Sequence, residues 1–200
     1  MKSTEIEVRG PLTPEGAEAL MDLLKKKNAK IVVYDEVALF FNTDAILSFG
    51  SYAAGAARLQ ANQKKYAEGR VEQVAKMKIG NPSGTSREEH EFSFNGHGLK
   101  TFLDIVHRLG ITEASFRGCT RHDYVLDNLT FSLKFGHPIG DHYEAEISGG
   151  SKEELLGFLT PLGLTVWGED EFRTIILDAR TNQDNGYISL EEGIVKYSIL

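Results

Sequence analysis

Polar and apolar residues alternate along several short stretches of the chain, and a period of two predicts β-strands. At residues 4–9 the apolar Ile6 and Val8 fall on one face. The opposite face carries two carboxylates and one guanidinium, those of Glu5, Glu7 and Arg9. This stretch therefore predicts a strand whose apolar side packs under helices or loops and whose charged side faces the other way.

Two later stretches also place a pair of carboxylates on one strand face. The pairs are Glu89 with Glu91, and Glu144 with Glu146. Glutamates on the solvated face of an antiparallel sheet are common, so each stretch alone also fits an ordinary exposed strand. A purely structural barrel with glutamates facing solvent is therefore one interpretation of the pattern.

Other predicted strands carry basic residues on their polar faces. Alternation groups Lys76 with Lys78, Arg117 with Arg121, and Ser132 with Lys134. A single antiparallel sheet that curls on itself gathers such polar faces inside. Because unpaired buried charges cost several kcal/mol each, this interior would not be a dry core. The pattern favours a water-filled tunnel that holds a polyanion and cations.

Helix signals separate the strands. Thr13 is an N-cap before a helix that starts at Pro14, and Gly110 ends a helix over residues 98–109. Ser151 and Glu154 form a capping box for a helix to residue 162. We also predict a short helix over 169–177 and strands over 30–34, 37–42, 113–126, 128–135 and 141–148.

Residues 52–78 give conflicting signals. Helix propensity is high from Ala53 to Lys76, but Gly55 and Gly69 interrupt the stretch. Residues 75–79 alternate in the manner of a strand. We predict a helical or irregular piece that ends in a strand near residues 76–80.

Composition narrows the class of function. The chain has 200 residues and a formal net charge of −7, which argues against nucleic-acid binding because that function needs a basic face. There is no apolar run of the length of a membrane span and no signal-peptide pattern. Because Cys119 is the only cysteine, an internal disulfide is excluded and we expect a cytoplasmic protein.

The order of the motifs resembles the CYTH family, the triphosphate tunnel metalloenzymes, which includes class IV adenylate cyclases, thiamine triphosphatases and inorganic triphosphatases. The family opens with Glu-x-Glu-x-Lys, continues with a basic strand, Arg-x-Glu-x-Glu and Arg-x-x-Tyr, and closes with a glutamate pair. Five stretches correspond to these motifs in order: residues 5–9, 75–78, 87–91, 121–124 and 139–146. The resemblance covers about residues 5–177.

The chain also departs from the family pattern. Cys119 stands where the family has a lysine, and Lys134 stands where it has a metal-binding aspartate. Phe40 lies in the segment that usually supplies a tyrosine hydroxyl, and the Arg-x-Arg strand is reduced to Arg58. A lysine in place of an acidic ligand makes a metal site weaker and more positive.

The resemblance implies an α+β fold, an eight-stranded antiparallel β-barrel tunnel with helices packed on the outside. We assign residues 1–180 to this CYTH-like tunnel domain and residues 181–200 to a C-terminal tail that packs on it and closes with a hairpin. The tail resembles a calcium loop, but Thr181 and Gln183 occupy two of the ligand positions. We interpret that segment as a plain turn at Asn185 and Gly186.

The resemblance also implies which side chains serve the chemistry. Arginine and lysine would bind phosphate oxygens, which assigns substrate binding to Arg9, Arg58, Lys76, Lys78, Arg87, Arg121 and Lys134. Mg²⁺ or Mn²⁺ would lie between the phosphates and the catalytic carboxylates, which are those of Glu5, Glu7, Glu144 and Glu146. Glu89 and Glu91 are either further metal ligands or partners of arginine side chains.

The leading interpretation is an enzyme, a phosphoanhydride hydrolase that uses a metal ion to hydrolyse a small-molecule triphosphate. The substrate would be inorganic triphosphate, thiamine triphosphate or a nucleoside triphosphate. One alternative is cyclisation of ATP, as in the class IV adenylate cyclases. Another is a non-catalytic binder of a phosphorylated ligand, motivated by Cys119, Lys134 and Phe40. We expect a monomer or homodimer without nucleic-acid or membrane partners.

Overall fold

A computed structural model of the chain describes residues 5–41, 57–79, 88–95, 98–168, 170–172, 174–175 and 186–199. Nine strands lie in this part of the chain. They are β1 (Glu5–Pro11), β2 (Lys30–Phe41), β3 (Ala57–Tyr66), β4 (Val71–Ile79), β5 (Glu88–Phe94), β6 (Glu113–Leu126), β7 (Leu129–Phe135), β8 (His142–Ser148) and β9 (Tyr187–Ser189).

Helices connect or follow these strands. They are α1 (Pro14–Lys26), α2 (Gly98–Arg108), α3 (Lys152–Leu159) with a 3-10 turn at Thr160–Leu162, and α4 (Leu190–Lys196). The predicted caps are confirmed, since Thr13 accepts a hydrogen bond from the Gly16 amide and Ser151 forms its capping box with Glu154. Residues 170–172 and 174–175 are helical, in agreement with the predicted short helix. None of the described helices has the length and apolar run of a membrane span.

The strands form a mostly antiparallel sheet, so the protein has an α+β fold. Their order is β1-β8-β7-β6-β2-β3-β4-β5, and β9 pairs with β6. Among the described strands, β1 and β5 stand at the two ends of this order. The closed eight-stranded barrel that the resemblance implies is therefore not formed by the pairings described here.

The chain divides into two compact units. The first unit comprises Met1–Tyr34 and Cys119–Ile176, and the second unit comprises Asp35–Gly118 and Leu177–Leu200. Strands β2 and β6 each contribute residues to both units. The final part of the chain, predicted as a tail, belongs to the second unit.

The first unit has its own apolar core. The apolar face predicted for β1 contributes Val8, and β7 contributes Phe131 and Leu133; these residues are 5%, 0% and 0% exposed. Helices α1 and α3 cover this face with Leu20 and Leu155, both fully buried. The alternation of β1, β7 and β8 thus leaves their polar residues on the opposite face of the same strands.

The second unit has a separate core beneath α2 and α4. It is built from Leu39 and Ala61 on the strands, Leu99 and Leu103 on α2, and Leu190 on α4. The expected hairpin at the end of the chain is wrong within the described residues, which begin at 186 there. Strand β9 pairs with β6 and is followed directly by α4, because Ser189 caps that helix by accepting from the Glu192 amide.

The helical interpretation of residues 57–75 is also wrong. These residues form a β3–β4 hairpin, and residues 53–56 lie outside the described part of the chain. Ala61 and Ala75 are paired across the hairpin and are both fully buried, and Gln73 donates to Gln63 at 2.8 Å in the next pair on the same face. Burial and cross-strand pairing therefore outweigh the intrinsic helix preference.

Strand β2 is continuous through Asp35 and Glu36, whereas the sequence predicted two separate strands over residues 30–34 and 37–42. The Glu36 side chain is only 6% exposed, and its Oε1 accepts a hydrogen bond from Asn62 Nδ2 at 2.9 Å. The buried Glu36 is thus held within the sheet by a partner on the neighbouring strand β3.

Candidate functional site

Polar side chains of the first unit share one face of five neighbouring strands. The strand order there is β1-β8-β7-β6-β2. Register places Arg9 opposite Glu144, and Glu144 opposite Ser132 on the other side. We call this set the charged face and define it as Glu7, Arg9, Tyr34, Arg121, Asp123, Ser132, Lys134, Glu144 and Glu146.

Glu144 is the centre of the charged face. Its Oε1 accepts a hydrogen bond from Arg9 Nε at 3.0 Å, and its Oε2 lies 2.8 Å from Lys134 Nζ. Burial alone would raise the pKa of the Glu144 carboxyl, but the positive charges of Lys134, Arg9 and Arg121 hold that pKa well below its usual range. Glu144 is therefore an anion with a cation on each of its oxygens.

Arg9 is held by more than Glu144. Its Nη2 forms an ion pair with Glu7, and its guanidinium carbon lies 4.8 Å from the centre of the Phe172 ring. The Trp167 amide donates to the Arg9 carbonyl oxygen at 2.8 Å, which brings the segment after α3 alongside β1. The Arg9 guanidinium thus contacts two carboxylates and an aromatic ring, which restrict its movement.

A hydrogen-bonded chain extends the charged face toward β2. Asp123 accepts from Arg121 Nε at 2.7 Å through Oδ1 and from the Tyr34 hydroxyl at 2.6 Å through Oδ2. Arg121 also donates from Nη2 to Ser132 Oγ at 2.8 Å. Burial would raise the pKa of the Asp123 carboxyl, but Arg121 and the hydrogen bonds lower it on balance. These contacts fix the position of the Arg121 guanidinium between Asp123 and Ser132.

His142 lies beside this cluster at the start of β8. Its side chain is 2% exposed, and its Nδ1–H donates to the Gly140 carbonyl oxygen at 2.9 Å. Burial and the nearby charge of Lys134 lower the pKa of His142 to about 4. The imidazole is therefore neutral at physiological pH, with its proton on Nδ1.

The charged face remains accessible to solvent. Side-chain exposure is 31% for Arg9, 21% for Glu144 and Arg121, and 12% for Lys134. These values lie between those of a core and those of an open surface, so a polar ligand can reach the cations while much of their hydration is already removed. Ion pairs in such a place are stronger than those on a fully exposed surface.

The second unit carries other predicted residues. Lys76 lies opposite Glu91 across β4 and β5, and the two form an ion pair at 2.5 Å. Glu91 thus pairs with a lysine, and its expected roles as a metal ligand or an arginine partner remain predictions. Arg117, 7% exposed, stacks over Phe40 with 4.6 Å between the guanidinium carbon and the ring centre.

The predicted site residues are thus described in part. Six of them belong to the charged face, namely Glu7, Arg9, Arg121, Lys134, Glu144 and Glu146. Lys76 and Glu91 lie in the second unit. Arg87 lies outside the described residues, and the structure describes the backbone but not the side chain of Glu5, Arg58, Lys78 and Glu89.

The sequence analysis did not identify three residues that belong to the charged face or contact it, namely Asp123, Tyr34 and Phe172. Asp123 has the same strand parity as Arg121, so alternation contained the signal needed to find it. Tyr34 supplies a hydroxyl to Asp123, whereas the motif comparison places the family's tyrosine near Phe40. Phe172 lies far from Arg9 in sequence and no local pattern links the two.

The charged face does not offer a ready site for a divalent metal. Both oxygens of Glu144 already contact cations, and Glu7 is paired with Arg9. Glu7 and Glu146 face each other across β1 and β8, which brings together two of the predicted ligands. Among the described residues, no three His, Cys, Asp or Glu side chains are grouped closely enough to hold a metal ion.

No protein-family model matches the sequence, and no curated protein matches it. Solved structures match its fold. The PH1819 protein of Pyrococcus horikoshii OT3 superposes with a TM-score of 0.68 at 18% sequence identity, and the match covers 88% of this chain and 99% of that protein.

Two other similar structures have names that mention an activity. HpAC1 from Hippeastrum, a candidate adenylyl cyclase described as having a dominant triphosphatase activity, matches with a TM-score of 0.56 and 21% identity over 88% of this chain and 96% of its own. A candidate adenylate cyclase from Vibrio parahaemolyticus matches with a TM-score of 0.56 and 12% identity over 88% and 99% of the two chains. The chain therefore shares the fold of these proteins, which is consistent with the CYTH-like fold that its motif order implies.

Proposed function

We propose that the protein binds a small-molecule triphosphate at the charged face of the first unit and hydrolyses one of its phosphoanhydride bonds. The observation that carries the proposal is the convergence of Arg9 and Lys134 on the single carboxylate of Glu144, with Arg121 on the next strand. The fold shared with HpAC1, a protein described by its triphosphatase activity, adds support.

The three cations suit a triphosphate for different reasons. A guanidinium presents five N–H groups in a planar fork that matches phosphate oxygens, so Arg9 and Arg121 would fix the orientation of the chain of phosphates. Lys134 is a compact point charge with three N–H donors. A triphosphate carries about four negative charges near neutral pH, so positioning and charge neutralisation are the main contributions expected from these residues.

Several finer features are part of this proposal. Closure of the sheet into an eight-stranded tunnel follows from the resemblance and remains a prediction, as do a monomeric or homodimeric state and a cytoplasmic location. Mg²⁺ or Mn²⁺ remains the predicted cofactor of turnover. Glu7 and Glu146, which face each other, are the described carboxylates best placed to contribute to it.

The test is a screen of tripolyphosphate, thiamine triphosphate and ATP with Mg²⁺ or Mn²⁺, read out as released phosphate. We expect turnover of at least one compound by the wild type and a loss of about a hundredfold in Arg9→Met. Arg108→Met, which changes an exposed arginine of α2, is the matched control and should retain full activity. Cyclic AMP as the main product from ATP would instead establish the cyclase alternative.

Binding without turnover is the second candidate function, and the contact of Lys134 with Glu144 favours it. A lysine on the carboxylate competes with any metal ion for the same oxygen. Calorimetry separates the two candidates, since tight binding of tripolyphosphate with no phosphate release under any metal condition would establish a binder. No binding and no turnover with all three compounds would contradict both.

A further inference from the structure

Lys134 is largely buried, although lysine side chains usually lie exposed on protein surfaces. Its side chain is 12% exposed, and its ammonium contacts Glu144 Oε2 while Arg9 contacts Oε1. The pairing of β7 with β8 fixes this contact, because Lys134 is opposite His142 and therefore one pleat away from Glu144 on the same face. The sheet itself thus holds the Lys134 side chain at this carboxylate.

A divalent ion would need free carboxylate oxygens, and both oxygens of Glu144 already contact cations. Mg²⁺ requires near-octahedral coordination by oxygen atoms at about 2.0–2.1 Å. To bind Glu144 it would displace Lys134, whose side chain is only 12% exposed, or Arg9, which would keep its ion pair with Glu7. Displacing Lys134 removes the carboxylate from a largely buried cation, which is unfavourable. The donor set around Glu144 therefore fits a fixed ammonium better than a bound metal.

We propose that the Lys134 ammonium replaces a divalent ion in ligand binding, so that the charged face binds a triphosphate group directly and without metal. The inference rests on the proposed function, because it concerns the same ligand at the same face. In binding, the ammonium provides positive charge and N–H donors to phosphate oxygens while Glu144 keeps it in position. Arg9 and Arg121 supply the remaining charge from the neighbouring strands.

The first measurement is calorimetric titration of the wild type with tripolyphosphate, once in EDTA and once with excess Mn²⁺. Direct binding predicts an affinity in EDTA at least equal to that with Mn²⁺, because Mn²⁺ complexes tripolyphosphate itself and lowers the negative charge that the protein's cations would bind. If the wild type binds only when Mn²⁺ is present, the inference is overturned while the proposed function stands. If it binds under neither condition, the proposed function itself fails.

Two variants test whether Lys134 is the residue responsible. Lys134→Asp removes the cation and adds an oxygen ligand, so affinity in EDTA should fall at least about tenfold and should recover with Mn²⁺. Titration with Mn²⁺ alone should also show new metal binding in this variant. Lys134→Arg keeps the positive charge and should retain binding in EDTA.

The control variant is Lys100→Asp, which makes the same change of charge on the exposed side of α2 and should bind as the wild type does. Circular dichroism establishes that each variant is folded. Should Lys134→Asp fail to fold, Lys134→Gln removes the charge without adding a new one and must still weaken binding in EDTA. Unchanged metal-free affinity in a folded Lys134→Asp or Lys134→Gln would refute the inference.

Discussion

His142 shows at the scale of a single residue how the charged face shapes its surroundings. Its ring lies edge-on to His137, with 4.7 Å between ring centres, and near Trp167 at 5.8 Å. These aromatic neighbours bury the imidazole, and Lys134 adds a positive charge. The folded protein therefore binds a proton at His142 much more weakly than the unfolded chain does.

The pH dependence of stability follows from this difference. The pKa of His142 is lowered to about 4 in the folded protein and returns to about 6.5 on unfolding. Between these values the unfolded state binds more protons, so stability decreases as pH falls. Relative to His142→Gln, the wild type should lose roughly 1–3 kcal/mol in free energy of unfolding between pH 7 and pH 4.5, as measured by urea denaturation.

The control for this prediction is His107→Gln, which changes an exposed histidine on α2 and should follow the wild-type pH profile. Acidic groups such as Glu144 also lose their stabilising charge in acid, but they do so in all three proteins. Parallel profiles for the wild type and His142→Gln would show that the imidazole is not kept neutral by its surroundings.

The sequence predicted some residues of the charged face and missed others for a physical reason. Glu7, Arg9 and Glu144 lie in strands with clear alternation, which determines the face that a side chain occupies. The ion pair of Lys134 with Glu144 shows that the two side chains share one face of the sheet, as alternation along the two strands predicts. Alternation says nothing about partners that lie on distant segments, and so Phe172 over Arg9 and Tyr34 on Asp123 were not foreseen.

At the scale of elements, a close approach fixes the segment after α3 against β1. Gly10 lies beside the Thr165 carbonyl oxygen, and the Tyr143 hydroxyl donates to that same oxygen at 2.8 Å. A Cβ at position 10 would collide with the Thr165 oxygen and would lie 2.8 Å from the Tyr143 ring. The obstacle includes backbone, which has little freedom to move.

Gly10→Ala should therefore lower the free energy of unfolding by roughly 2 kcal/mol or more. Its matched control is Gly157→Ala in α3, where an added Cβ meets nothing within 4 Å. That control should raise stability by about 0.5–1 kcal/mol, because alanine is the better helix former. Chemical denaturation measures the free energy of unfolding of both variants. Equal changes for the two substitutions would contradict the close contact between Gly10 and the Thr165 carbonyl oxygen.

Elements with strong local signals were predicted well, and those fixed by distant partners were not. The caps of α1 and α3 and the alternation of β7 are local and determine structure directly. The β3–β4 hairpin is rich in Ala, Gln and Lys, which favour helices in isolation. Its strands form because Ala61 and Ala75 are buried under other elements and Gln63 finds Gln73 across the pair, and neither fact is visible from one segment.

At the scale of the whole molecule, the two units have separate cores. Leu20 of α1 is fully buried in the first, and Leu103 of α2 is 1% exposed in the second. Each leucine contacts its own cluster of apolar residues. The stability of each unit therefore depends first on its own core.

Hydrogen exchange tests this division. Leu20→Ala and Leu103→Ala should each lower the free energy of unfolding by roughly 2–5 kcal/mol. Each variant serves as the control for the other. Leu20→Ala should accelerate exchange mainly at the amides of β7 and β8, and Leu103→Ala mainly at those of β3 and β4. Equal acceleration throughout the chain in both variants would mean that the two cores unfold as one.

The contacts that immobilise the Arg9 side chain affect the entropy of ligand binding. An arginine side chain that is immobilised by a ligand loses conformational freedom worth about 2 kcal/mol. Here Glu7, Glu144 and Phe172 have already restricted the rotamers of that side chain during folding. Arg9 is therefore a preorganised hydrogen-bond donor. Binding of an anion does not have to immobilise the side chain again, so this loss of entropy weakens the affinity of the anion only slightly.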